Sequence, residues 1–149
     1  MAGKLARALE VAAATLLLAL MAVTIIDVVG RYLLEAPLVG AFELTELLLC
    51  AMVFAALPLA SRDGGHVEVD LLAGALPRGA AEALARAAAA ISAAVLLYFA
   101  WRLVIVAHDL IGTGARSNAL VIPFAPFAAF GALACVLAAG FGVLREWRR

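Results

Sequence analysis

Charged residues are scarce in this sequence. Only 15% of its 149 residues are Asp, Glu, Lys or Arg, whereas a soluble domain has about a quarter. Hydrophobic residues make up 67%, and the mean hydropathy is +1.11. Because a chain of this length cannot bury so much apolar surface in one core, we expect lipid to solvate most of it. This excludes a soluble enzyme, a disulfide-rich secreted domain and a disordered tail.

The sequence also lacks an excess of charge of either sign, and it lacks the residue patterns of chemical catalysis. The 11 basic and 11 acidic residues balance, so no clustered basic surface points to nucleic acid. Cys50 and Cys135 lie inside apolar runs, and two isolated thiols are too few for a zinc site. The sequence contains no phosphate-binding loop, nucleophile triad or metal motif. We therefore expect a protein that is not an enzyme and holds no metal or cofactor.

Four long apolar runs dominate the chain. A helix needs about 20 such residues to cross the hydrocarbon, and Ala and Leu, which are abundant in the runs, favour helices. The runs do not alternate as barrel strands do. The first is too long for a signal peptide. We therefore predict one all-α membrane domain whose four spans are residues 11–29, 43–61, 87–107 and 119–144.

Basic residues are distributed unevenly between the two sides of these spans. The termini and the connection between spans two and three hold Lys4, Arg7, Arg62, Arg78, Arg86, Arg145, Arg148 and Arg149. The other two connections hold only Arg31 and Arg116. Because cytoplasmic connections carry the excess of Lys and Arg, we expect both termini in the cytoplasm.

Residues 66–76 combine apolar side chains with Glu68 and Asp70. This segment, which begins at His66, is too short and too polar to span a bilayer. A short amphipathic helix lying in the membrane interface and an ordinary loop leading into the third span both fit the pattern.

Charges inside a span are costly and indicate a function or a specific partner. Asp27 and Arg31 are four residues apart and share a helix face. An internal ion pair is the favoured interpretation, a contact with another subunit is the alternative, and a proton relay is disfavoured because no titratable groups continue inward. Glu43 fits the water boundary at the start of the second span. Glu46 lies deeper, among leucines. A carboxylate there can bind a cation or a proton, or it can lock one helix against another by hydrogen bonds; we favour the packing role.

The fourth span carries two rows of small residues at every fourth position. Such rows let helices approach closely in a membrane. The rows are Gly131, Cys135 and Ala139, and Ala134, Ala138 and Gly142.

Residues 27–72 resemble the small membrane subunit of tripartite ATP-independent periplasmic (TRAP) transporters, the DctQ-like family. The matching parts are the Gly30-Arg31-Tyr32 end of the first span, the segment from Glu43 to Glu46, and the loop 62–70 with its His-Val-x-Val-Asp. The length, the four spans and the short loops also agree with that family.

The resemblance implies a subunit of a secondary transporter in the bacterial inner membrane, with a large permease subunit and a periplasmic solute-binding protein as partners. In such systems a sodium gradient drives uptake of organic acids such as dicarboxylates, and the large subunit holds the transport sites. Packing or subunit-interface roles are then expected for Asp27, Arg31, Glu43, Glu46 and His66. The alternative is a small four-helix exporter that uses Glu46 as its coupling carboxylate. A respiratory membrane anchor would need haem-ligating histidines within the spans.

The topology is testable with reporter fusions. Fusions at Gly65 and at Arg149 should give cytoplasmic signals, and a fusion at Gly114 should give a periplasmic signal, because the basic residues fix the orientation. A periplasmic C-terminus would contradict the arrangement of four spans.

Overall fold

The computed structural model describes residues 2–63 and 77–146. This part of the chain folds into four helices: α1 (Ala2–Leu33), α2 (Ala41–Asp63), α3 (Arg78–Thr113) and α4 (Ala125–Glu146). All four are long and apolar enough to cross a membrane, which confirms the predicted all-α membrane architecture. His66 and the segment 66–76 lie outside the described residues, and the orientation in the membrane stays a prediction.

Two helices are much longer than the predicted spans. Helix α1 has 32 residues and α3 has 36, which gives lengths of about 48 Å and 54 Å at 1.5 Å per residue. The hydrocarbon core of a bilayer is only about 30 Å thick. The predicted spans 11–29 and 87–107 therefore lie inside these helices but do not mark their ends, since the polar turns beyond each run remain helical.

The predicted start of the fourth span, at residue 119, is wrong as a helix boundary because α4 begins only at Ala125. Pro123 disfavours the helical conformation at the residue before it. Ile122 instead pairs with Ser117, whose backbone N–H donates to the Ile122 carbonyl at 2.9 Å. The apolar residues 119–124 thus belong to the connection between α3 and α4. Pro126 falls in the first turn of α4, where proline is tolerated.

The helices contact one another in the order α1, α2, α4, α3. Helix α4 packs against both α2 and α3, and α1 packs against α2. The connections 34–40 and 114–124 lie at the same end of the bundle, because Glu43 bonds Ala119 there. We call this end the loop end. Helices α2 and α4 both start at the loop end and run parallel, as alternate crossings of a membrane require.

Small residues form the centre of the bundle. On α4 the buried residues include Gly131, Ala132, Ala134, Cys135, Ala138 and Ala139. Both small-residue rows read from the sequence thus contribute to the buried surface of α4. A Cβ atom added to Gly131 would lie 2.7 Å from Phe54 Cζ on α2, so the missing side chain allows the Phe54 ring to pack directly on the α4 backbone.

An ion pair joins α1 to α2 far from the loop end. Arg62 Nη2 donates to Glu10 Oε1 at 3.0 Å, and both side chains are partly exposed. Exposed pairs of this kind contribute less than about 1 kcal/mol. The contact therefore helps to set the relative position of α1 and α2.

Close packing at Gly131 is testable with a matched control on the same helix. Gly131→Leu should lower the thermal stability of the purified protein by about 1–3 kcal/mol relative to Gly140→Leu, because overpacking forces neighbours apart. Both changes replace glycine by leucine within α4, but a Cβ at Gly140 meets nothing within 4 Å. Thermal unfolding in mild detergent measures the difference. Equal stability of the two variants would show that the Phe54 contact does not limit the spacing of α2 and α4.

Candidate functional site

Four of the five predicted site residues lie towards the loop end. Asp27 and Arg31 occupy the last turns of α1, whereas Glu43 and Glu46 occupy the first turns of α2. His66 is outside the described residues. The site is therefore a polar layer around the two connections, and each of its four described side chains has a different environment.

Asp27 binds the connection that follows its own helix. Arg31 Nη2 donates to Asp27 Oδ2 at 2.8 Å, so the ion pair predicted from the spacing is present. The backbone N–H of Leu38 donates to Asp27 Oδ1 at 3.1 Å. The Asp27 side chain is only 14% exposed, whereas that of Arg31 is 56% exposed. One carboxylate thus compensates a cation and an amide group that would otherwise lack a partner.

The 34–40 connection folds back over the end of α1. The backbone N–H of Ala36 donates to the Gly30 carbonyl at 2.9 Å. An open groove of about 590 Å³ lies between this connection and α1, and its lining includes Ile25, Ile26, Val29, Leu34, Pro37 and Val39. These side chains are apolar, so the groove suits lipid or apolar protein surface and offers little to a charged solute.

Glu43 binds the other connection. The backbone N–H of Ala119 donates to both carboxylate oxygens of Glu43, at 2.8 Å and 3.0 Å. The N–H of Leu120 donates to Oε2 at 3.0 Å. Successive amide groups that converge in this way form a small anion-binding concavity. Here the bound anion is a side chain of the same protein, so α2 is tied directly to the segment that leads into α4.

A short hairpin presents these amide groups. Arg116 and Pro123 form an isolated bridge, and the Ile122 N–H donates to the Ser117 hydroxyl oxygen at 3.2 Å. Val121 has a φ of 56°, a conformation that is unfavourable for a β-branched residue. The Glu43 bonds to Ala119 and Leu120 lie before Val121, and the pairing of Ile122 with Ser117 lies after it. Together they hold Val121 in this strained conformation.

The two connections also touch each other at Gly40 and Leu120. Gly40 has a φ of 76°, and a Cβ atom there would lie 2.6 Å from Leu120 Cγ. Glycine thus satisfies both the backbone conformation and the close approach of the leucine. The contact between Gly40 and Leu120 and the bonds of Glu43 therefore attach the 114–124 connection to the start of α2 at adjacent points.

Glu46 has no such partner. Its side chain is exposed, and it forms no hydrogen bond or ion pair with any residue in 2–63 or 77–146. Within those ranges no group of three or more His, Cys, Asp or Glu side chains is placed to hold a metal ion. Among the four described site residues, Glu46 is accordingly the one whose role the contacts within residues 2–63 and 77–146 do not explain.

Sequence reasoning missed the amide groups of Ala119 and Leu120. They are backbone groups, and they lie 76 and 77 residues from Glu43 along the chain. The available signal was the Ser117-Asn118 pair, a turn-forming combination, directly before the run 119–144 that was assigned to a helix.

The role of Glu43 is testable through hydrogen exchange. Glu43→Ala removes the acceptor of the Ala119 and Leu120 amides, so these amides should exchange faster with solvent deuterium. Mass spectrometry of the peptide that covers residues 117–122 measures the rate. Glu46→Ala is the matched control and should leave that peptide unchanged, since Glu46 bonds nothing there. Unaltered exchange in Glu43→Ala would show that Glu43 does not hold the connection.

Comparison with protein families matches residues 20–149 to the DctQ component of tripartite ATP-independent periplasmic transporters. A search of curated proteins gave no match. The matched range includes α2, α3, α4, the end of α1 and all four described site residues. This confirms the resemblance read from the segment 27–72, and it shows a component of a transporter. The chain belongs to the DctQ family of TRAP transporter components and is a multi-pass membrane protein.

Proposed function

We propose that this protein is the small permease subunit of a TRAP transporter. It supports a large permease subunit during uptake of a solute that a periplasmic binding protein delivers. The observation that carries the proposal is the family match over residues 20–149. The resemblance of the segment from Gly30 to Asp70 to small TRAP subunits supports the same assignment.

The exposed apolar surface of the bundle fits an accessory subunit. None of the most apolar stretch of α1 is buried within the chain, and only 6% of that of α3 is buried. Because so little of α1 and α3 is buried, the bundle leaves long apolar faces for lipid and for another membrane protein. The small residues of α4 show how this chain achieves close helix contact, and the same mode of packing suits association with a larger helical partner.

The transport chemistry then belongs to the partner. We infer sodium-driven uptake of an organic acid across the bacterial inner membrane, as the resemblance implies. Removing an ion from water without replacement ligands is very costly. In this chain Asp27 bonds Arg31 and Leu38, and Glu43 bonds Ala119 and Leu120. These carboxylates already serve the fold, which supports placing the ion and solute sites in the large subunit.

The site residues accordingly divide into two roles. Asp27, Arg31 and Glu43 hold the connections at the loop end, while Glu46 faces a partner subunit. For His66 the resemblance alone supports a packing or interface role. The exporter alternative rests on Glu46 as well, because an unpartnered carboxylate among apolar residues is also what a coupling site would offer.

Transport by the isolated subunit separates these functions. Purified alone and reconstituted in liposomes, the small subunit should give no sodium-dependent uptake of organic acids. It should co-purify with the large permease subunit in mild detergent, and addition of the binding protein to that complex should give uptake. Empty liposomes provide the background. Robust transport by the small subunit alone would overturn the accessory role and favour the exporter.

A further inference from the structure

We propose that one face of α2 is the surface that binds the large permease subunit. This face, the α2 stripe, consists of Phe42, Glu46, Leu49 and Val53. Its occupant is a membrane helix of the large subunit, and that helix places a hydrogen-bond donor side chain opposite Glu46. The inference rests on the proposed function and adds to it the contact surface and the chemistry of the contact.

Residue spacing defines the stripe as a single helix face. Its members follow one another at intervals of four, three and four residues, the spacing with which one helix packs along another. Phe42 is 76% exposed, Leu49 48% and Val53 52%. The opposite side of α2, with Leu47, Ala55 and Pro58, is buried in the chain. Helix α2 therefore has one face that serves the bundle and one that nothing in the described chain covers.

Glu46 makes lipid a poor occupant of this stripe. It lies one turn after Glu43, about 4.5 Å further along the helix at 1.5 Å per residue. Glu43 has three hydrogen bonds from backbone amides, whereas Glu46 has none within residues 2–63 and 77–146. A charged or polar group surrounded by hydrocarbon is costly unless it finds a partner. A donor side chain on a neighbouring protein helix supplies that partner.

Two other exposed surfaces of the bundle lack this requirement. The apolar stretch of α1 from Val11 to Ile26 carries no charged residue, so lipid can solvate it. Arg102 on α3 is exposed beside Trp101, but a long arginine side chain can reach the membrane interface while its stem stays in the apolar region. The shorter glutamate side chain has less reach. Among these faces, the α2 stripe is the one that calls for a protein donor.

Site-specific photocrosslinking in the co-expressed complex tests the surface. A photoreactive amino acid at Leu49 or Val53 should crosslink to the large subunit. The same amino acid at Ile91 or Val95, which are exposed on α3, should crosslink less and is the matched control. Crosslinks to lipid alone from the α2 positions, or stronger subunit crosslinks from α3, would overturn the inference.

Substitution of Glu46 tests the donor. Glu46→Gln keeps an acceptor oxygen and should keep the small subunit bound to a tagged large subunit. Glu46→Leu should weaken the association about 3- to 30-fold, the range for a hydrogen bond between membrane helices. Glu46→Lys should weaken it further, because a donor would then face a donor. Glu82→Leu, which removes an exposed carboxylate on α3, is the control and should change nothing.

The outcomes separate the two proposals. Thermal unfolding of the isolated variants should match that of the original protein, since Glu46 has no partner in the described chain, and this shows that any loss of binding is not misfolding. Equal binding of Glu46→Leu and the original protein overturns the proposed donor. If the original small subunit does not bind the large subunit at all, both this inference and the proposed function fail.

Discussion

The bond between the Glu43 carboxylate and the amides of Ala119 and Leu120 is the contact on which the arrangement of the helices depends. Backbone N–H groups near a membrane must find an acceptor within the protein or in water. By supplying that acceptor, Glu43 places the start of α2 beside the connection that leads into α4. Helices α2 and α4 both start at this end and run parallel, and α1 and α3 run in the opposite direction.

Small residues on α4 allow the close packing that holds the helices together. From the loop end onward, α4 presents Gly131, Ala132, Cys135 and Ala139 to its neighbours, and the Phe54 ring packs on the α4 backbone at Gly131. Between membrane helices, close contact replaces the hydrophobic driving force, because lipid is as apolar as the side chains. A bundle built this way is thin, and its outer faces remain available to lipid and to a partner. This is the physical basis for the proposed accessory role.

The sequence predicted the features that depend on local pattern. The length and composition of the apolar runs predicted four helices, and the spacing of Asp27 and Arg31 predicted their ion pair. The rows of small residues on α4 identified much of its buried surface. The start of α4 was predicted wrongly because residues 119–124 are as apolar as the helical residues that follow them. Contacts between distant parts of the chain, such as Glu43 with Ala119 or Glu10 with Arg62, leave no local pattern and required the structure.

The central claim is that Asp27 and Glu43 satisfy groups within the chain while Glu46 serves a contact between subunits. An experimental structure of the small and large subunits together in a lipid nanodisc tests it most directly. The account predicts that Glu43 still accepts the amides of Ala119 and Leu120, and that a donor side chain of the large subunit lies within hydrogen-bond distance of Glu46. A Glu46 side chain that faces lipid, with the large subunit bound to another face of the bundle, would contradict it.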